Sequence, residues 1–232
     1  MQQLPLAVQL QQEVDFADFV AGPNAEAVAA IAAWAEGCGE AFLYLFAPTG
    51  SGKTHLLQAA CGRAAARSRE VIYLPLSHPG LDPSALDNLE RVELIALDDL
   101  DAVAGNADWE RALFGLYNRL REAERRLLVG ASQPLADLPI RLPDLRSRLG
   151  SGPGYRLRPL READCEQLLR QSAERRGLDL SLEAVAYIMR RCPRDAGSLL
   201  ALLDEVDRES LREKRRATLW LIRRLVENPS RP

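Results

Sequence analysis

The side chains best placed to do chemistry fall in two short stretches. Residues 47–54 read APTGSGKT and follow the apolar run AFLYLF, and residues 94–99 read LIALDD. Glycines at 50 and 52 let a backbone turn tightly and aim its N–H groups at phosphate oxygens. Lys53 then reaches the outer phosphates, and the Thr54 hydroxyl ligates magnesium. A helix starting here adds its positive N-terminal end. The candidate cradle is therefore Pro48, Thr49, Gly50, Ser51, Gly52, Lys53, Thr54 and His55. Ala47 stands where such loops usually begin with glycine. Asp98 closes a buried-strand pattern beside this loop and is the candidate second magnesium ligand, usually through water. Asp99 is placed to orient an attacking water. It replaces the longer glutamate common at that position, so fast hydrolysis is not expected.

Composition agrees. Thirty residues are Lys or Arg, yet only Lys53 and Lys214 are lysines. A compact ammonium persists where phosphate must be met by a point charge, a role planar arginine does not fill equivalently. The formal charge of −3 and the acidic isoelectric point near 5.6 argue against a chain whose main task is gripping nucleic acid. No apolar run approaches a membrane span and no signal peptide is visible, which predicts a cytoplasmic protein. Cys38, Cys61, Cys165 and Cys192 lack metal-ligand spacing and read as reduced thiols. With only His55 and His78, a histidine-based metal site or triad is not expected.

The elements that must hold these residues alternate. Asn24 is placed to cap a helix to Glu36. Strands are predicted at 41–47, 71–76, 93–97 and 127–131, with a short fifth at 155–157. Helices follow the glycine loop to about Arg67 and cover about 108–124, with Trp109, Leu113, Leu116, Tyr117 and Leu120 on the buried side. Short apolar strands between amphipathic helices predict an α/β domain, a parallel sheet with helices on both faces. Ligands bind such sheets at the carboxyl ends of the strands, where the loop, the acidic pair and Ser132 all fall. After Pro159 only helices are predicted, at 161–176, 181–191, 194–212 and 218–226, giving a small all-helical domain. The expected division is a flexible tail at 1–13, a nucleotide-binding α/β domain at 14–159 and a helical lid at 160–232.

Four further features are open on residues alone. Ser132 is either an ordinary strand-end serine or a phosphate sensor. Arg146 and Arg148 lie on a short helix in PDLRSRLG, and on spacing alone a solvated cationic face is the better account. Arg194, read as beginning a helix after Pro193, is a surface arginine unless it reaches phosphate. The basic run 208–216 reads as a solvated helix end, with a weak DNA contact as the alternative.

The order of these motifs resembles the AAA+ family, and residues 14–226 resemble the ATPase core of DnaA, the bacterial replication initiator. GSGKTHLLQA is similar to its nucleotide loop, FADFVAGPNAEAV to the segment around the adenine, and LDDLDAV to its acidic strand end. SRLG is similar to its arginine-finger box, which implies that Arg148 is a finger acting in trans. PRDAGSLL is similar to the lid's sensor segment, which implies that Arg194 touches nucleotide. Ser132 aligns with the strand-end sensor, where an acidic or amide residue is more usual. The length leaves no room for DnaA's DNA-binding and helicase-contacting domains, and a stand-alone core is similar to the regulatory branch of this family. That resemblance implies ADP or ATP with Mg2+ as cofactors, and DnaA and the DNA polymerase sliding clamp as partners. DNA would be met mainly through the clamp, and a nucleotide-dependent homo-oligomer is a further implication. It also implies a function, stimulating ATP hydrolysis by DnaA and so preventing re-initiation. MQQLPL is similar to a clamp-binding peptide through Gln2, Leu4, Pro5 and Leu6, although Met1 stands where its first Gln belongs. The alternative is an autonomous AAA+ ATPase or helicase loader acting on single-stranded DNA.

Overall fold

The computed structural model describes residues 14–213 and 218–227. The expected tail, with Gln2, Leu4, Pro5 and Leu6, lies outside the described residues.

Five strands form one parallel sheet: β1 (Phe42–Phe46), β2 (Val71–Pro75), β3 (Leu94–Asp98), β4 (Arg126–Ala131) and β5 (Gly154–Arg156), in the order β2-β3-β4-β1-β5. From β1 the chain crosses to the β2 edge, returns through β3 and β4, and ends beyond β1. Every connection is a crossover, because parallel neighbours cannot be joined by a tight hairpin. The first helices are α1 (Ala25–Ala35), α2 (Lys53–Ala66), α3 (Ala107–Glu122) and α4 (Pro143–Leu149).

All five residues of β3 are buried, which is why Leu94–Leu97 are apolar on both faces; the fifth, Asp98, is the exception at the strand end. Tyr44, Ile95, Leu97, Leu127 and Val129 pack with Trp109, Leu113, Leu116, Tyr117 and Leu120 of α3, and with Leu145 and Leu149 of α4. The expected buried stripe of α3 is thus the observed one. Helix α2 lies against β2, β3 and β4. Asn106 caps α3 by accepting from the N–H groups of Asp108 and Trp109. Asn24 does occupy the cap position of α1, but its side chain makes no capping hydrogen bond.

A second unit is helical: α5 (Glu162–Arg175), α6 (Leu182–Arg191), α7 (Ala196–Glu213) and α8 (Leu219–Glu227). Its core gathers Leu169, Ile188, Leu199, Leu203, Val206 and Ile222, the apolar faces of the amphipathic helices. Ser181 caps α6 through the Ala184 N–H. Helix α7 begins at Ala196, so Arg194 stands in the turn before it rather than on its first turn. By contacts the sheet unit runs through Phe16, then Asn24–Thr49 and Lys53–Leu157. The helical unit takes Ala17–Pro23, Gly50–Gly52 and the chain from Arg158 onward. No helix among the described residues is long and apolar enough to cross a membrane.

The short edge strand β5 depends on close backbone approach. A Cβ on Gly152 would stand 1.9 Å from the Phe42 carbonyl oxygen. Gly152→Ala must push β5 off β1 and should cost about 2 kcal/mol, in the range of overpacking substitutions. Urea unfolding monitored by circular dichroism checks this; an unchanged midpoint would show that the backbone yields without loss.

Candidate functional site

The site grows from three strand ends. Ala47 continues β1, its N–H donating to the Ala131 carbonyl of β4 at 3.2 Å. It is buried and has no positive φ, so the methyl group meets no conformational penalty. Gly50 and Gly52, by contrast, adopt φ of +80° and +90°, where a side chain is strained. A Cβ on Gly52 would also meet the Phe19 ring at 2.8 Å. Gly197 donates its N–H to the Gly50 carbonyl at 3.2 Å, an approach that suits two residues without side chains.

Lys53 opens α2 and is 7% exposed. Its Nζ donates to the carbonyls of Ala47 at 2.7 Å and Pro48 at 3.3 Å, which fixes the ammonium inside the turn of the loop. Pro48, Thr49 and Gly50 are exposed, and Ser51 is half-buried. The Thr54 hydroxyl donates to Asp98 Oδ2 at 2.7 Å, bringing together the two residues expected to share a magnesium ion.

Asp98 is fully buried, and three donors compensate it. Oδ2 also accepts from the Tyr73 hydroxyl at 3.0 Å, and Oδ1 accepts from the Asp99 N–H at 3.0 Å. Burial first, and the Asp98 charge second, push the Tyr73 phenol well above its ordinary value, so it stays a donor. Gly130 of β4 makes room for this carboxylate: a Cβ there would come within 2.7 Å of Asp98 Oδ1. One hydroxyl and one carboxylate, side by side at the loop, fit a magnesium ion that keeps waters and takes its remaining ligands from phosphate.

Asp99 turns away on a left-handed backbone, φ +56°, and its Oδ2 accepts from Ser77 Oγ at 2.6 Å. Ser132 follows β4 directly. Its N–H donates to Asp101 Oδ1 at 2.6 Å, which ties the end of β4 to the turn after β3. His55 points elsewhere: its Nε2 lies 3.2 Å from the Asp15 carbonyl, and burial holds the imidazole below its ordinary pKa. Arg148 stands on α4 with its guanidinium 6.0 Å from the centre of the Tyr117 ring. Arg194, in the helical unit, donates to the Met189 carbonyl and pairs with Glu162 at 3.0 Å.

The sheet unit therefore assembles Lys53, Thr54, Asp98, Asp99 and Ser132 at one end of β1, β3 and β4. His55 and Arg148 are positioned by other contacts. Sequence reading missed Tyr73, Ser77 and Asp101. A polar ring inside the apolar run VIYLP was a signal for Tyr73, but only the β2–β3 pairing shows which acid it serves.

Fold and strand-end residues together give the AAA+ architecture, an α/β domain followed by a small helical lid. Comparison with known proteins narrows the class. The family model for the Hda lid domain matches residues 162–226, and that for the bacterial DnaA ATPase domain matches residues 10–77. These matches are consistent with a DnaA-related, Hda-like AAA+ protein. Domain III of the Thermotoga maritima replication initiation protein DnaA superposes with a TM-score of 0.82 at 19% identity, covering 95% of this chain and 98% of that one. AMPPCP-bound DnaA from Aquifex aeolicus gives 0.73 at 20% identity, over 89% of this chain and 71% of that one. The Thermotoga maritima RuvB Holliday junction branch migration motor gives 0.70 at 17% identity, over 94% and 73%.

Lys53→Ala removes the one buried ammonium of the loop. Hydrogen bonds to charged groups are worth about 1.5–3 kcal/mol, so binding of a fluorescent ADP with magnesium should weaken roughly ten- to a hundredfold. Lys53→Arg should not restore it, because the planar fork cannot fold into the same turn. Wild-type affinity in Lys53→Ala would remove the loop from the binding site.

Proposed function

We propose that this protein binds ADP or ATP with magnesium and regulates replication initiation by acting on DnaA. In this reading Pro48–Thr54, the main chain of His55 and Arg194 contact the nucleotide, Thr54 and Asp98 hold the magnesium ion, and Ser132 senses the terminal phosphate. Asp99 would orient water in any hydrolysis of the protein's own ATP. Arg148 is the decisive group. It is presented to ATP held by DnaA, where an added guanidinium stabilises charge on the transferring phosphoryl group. The segment Gln2–Leu6 docks on the sliding clamp as an extended peptide with leucines in an apolar pocket. Stimulated hydrolysis then lowers the amount of ATP-bound DnaA and prevents re-initiation.

The observation that carries this reading is the unequal use of the two arginines on α4. Arg146 donates to the carbonyls of Leu138 and Ile140 at 3.2 and 2.6 Å, and is fully committed to the loop before the helix. Arg148 rests on an aromatic ring, and no carboxylate pairs with it among the described residues. A guanidinium held over an aromatic face is positioned yet not neutralised, which is what a group meant for an external phosphate requires. The match of the helical unit to the Hda lid supports the regulatory role.

The test is hydrolysis of DnaA-bound ATP with this protein and DNA-loaded clamp. Arg148→Ala should lower the stimulated rate by a factor of about 10³ or more, the usual scale for an arginine finger. Clamp binding and ADP affinity should stay unchanged. Undiminished stimulation by Arg148→Ala would sink the role. Leu4→Ala with Leu6→Ala should abolish clamp binding in the same preparation, and omission of DnaA reports any independent ATPase.

A further inference from the structure

Glu110 is a carboxylate that the nucleotide site does not use. It lies on the first turn of α3 and is 2% exposed. Among the described residues no cation pairs directly with it. Instead it accepts main-chain N–H groups: Gly105 to Oε1 at 2.8 Å, Arg141 to Oε1 and Oε2 at 3.0 Å each, and Leu142 to Oε2 at 2.8 Å. Burial alone would raise its pKa. The N–H groups of Arg141, Leu142 and Gly105 and the charge of Arg141 act the other way, and the net direction is downward. Glu110 is thus a buried anion at neutral pH, satisfied by backbone.

Those amides belong to the residues that lead into α4, and Arg146 grips the same loop from its other side through the carbonyls of Leu138 and Ile140. A buried anion collects the amides at 141–142, and a cation collects the carbonyls at 138–140. Gly105 lets the two loops meet: its φ is +88°, and a Cβ there would stand 3.3 Å from the Pro139 carbonyl. The start of α4 is thereby fixed to the start of α3. The other end of α4 lies against α3 as well, since Tyr117 hydrogen-bonds Ser151 at 2.6 Å and carries the Arg148 guanidinium.

We propose that Glu110 is a positioning residue for Arg148, setting the placement of α4 by clamping the loop at 141–142. The proposal rests on the reading of Arg148 as a group presented to DnaA-bound ATP. A neutral amide at 110 must turn an NH2 toward main-chain donors, so the clamp opens on one side while side-chain volume is kept.

The experiment compares wild type, Glu110→Gln, Glu110→Asp, Arg148→Ala and the double variant Glu110→Gln/Arg148→Ala, each as the full chain. Hydrogen–deuterium exchange should quicken at the amides of 105 and 141–149 in Glu110→Gln, with affinity for fluorescent ADP kept within about twofold. With DnaA and DNA-loaded clamp, Glu110→Gln should lower the maximal stimulated rate about tenfold and leave the half-saturating concentration unchanged. The double variant should be no worse than Arg148→Ala, since both changes remove one effect. Additive losses, or a raised half-saturating concentration at an unchanged maximum, would overturn the positioning role. So would a failure of both Glu110→Gln and Glu110→Asp to bind ADP, which would make Glu110 a determinant of the fold. If Arg148→Ala itself leaves stimulation intact, the reading of Arg148 fails. The exchange result then still decides whether Glu110 holds α4.

Discussion

A carboxylate with no exposure to solvent, Asp98, is the constraint around which the sheet unit is arranged. An ion in that position is tolerable only if every lone pair that faces the interior meets a donor. The parallel register brings Pro75 of β2 opposite Asp98, so β2 supplies Tyr73 from two residues earlier. β4 contributes by giving up a side chain at Gly130, and α2 contributes Thr54 from its first turn. Three sequentially distant segments thus converge on one carboxylate. The order of strands is what makes them neighbours: β3 lies between β2 and β4, and β1 lies next to β4.

The same logic recurs away from the site, with different donors. Asp101 accepts the Ser132 N–H, Glu110 accepts main-chain N–H groups of Gly105, Arg141 and Leu142, and Asp195 accepts the Ser198 N–H before α7. In each case an acidic side chain fixes a main-chain turn rather than another side chain. Such bonds have few rotatable torsions to freeze, unlike exposed pairs of long side chains, whose net worth is small. Arginine does the complementary work. Arg126 gathers the carbonyls of Cys38, Gly39 and Glu40, and Arg119 binds the Leu86 carbonyl beside its pair with Glu90. A chain that writes its positive charge as arginine uses the five-donor fork to close loops.

How much of this was legible in the sequence follows from the range of each signal. The parallel sheet, the helical run after Pro159 and the buried face of α3 were legible, because periodicity is a local property. So was the pairing of Thr54 with Asp98, because the glycine loop and the acidic strand end each carry their own local pattern. Tyr73 and Glu110 were not singled out. Each is one polar residue in an apolar or amphipathic stretch, and its meaning depends on which strand or loop lies alongside. His55 adjoins the loop in sequence. A helix turns each residue about 100° from the last, so the neighbour of Thr54 faces the Asp15 carbonyl instead. Pro193 predicts a helix starting at Arg194, but the capping role falls to Asp195 and the helix starts at Ala196. Boundaries of that kind are set by the cap.

The ordinary backbone at Ala47 separates two kinds of residue within one motif. Positions 50 and 52 are fixed by geometry, since their left-handed turns exclude any side chain without strain. Position 47 is fixed only by volume. Its methyl group is buried against the sheet, worth on the order of 0.8 kcal/mol if the fit is good. Replacement of glycine by alanine there also removes freedom from the unfolded chain. The first residue of the loop is therefore open to neutral exchange between the two smallest amino acids, and a search demanding glycine there would pass over functional loops of this type.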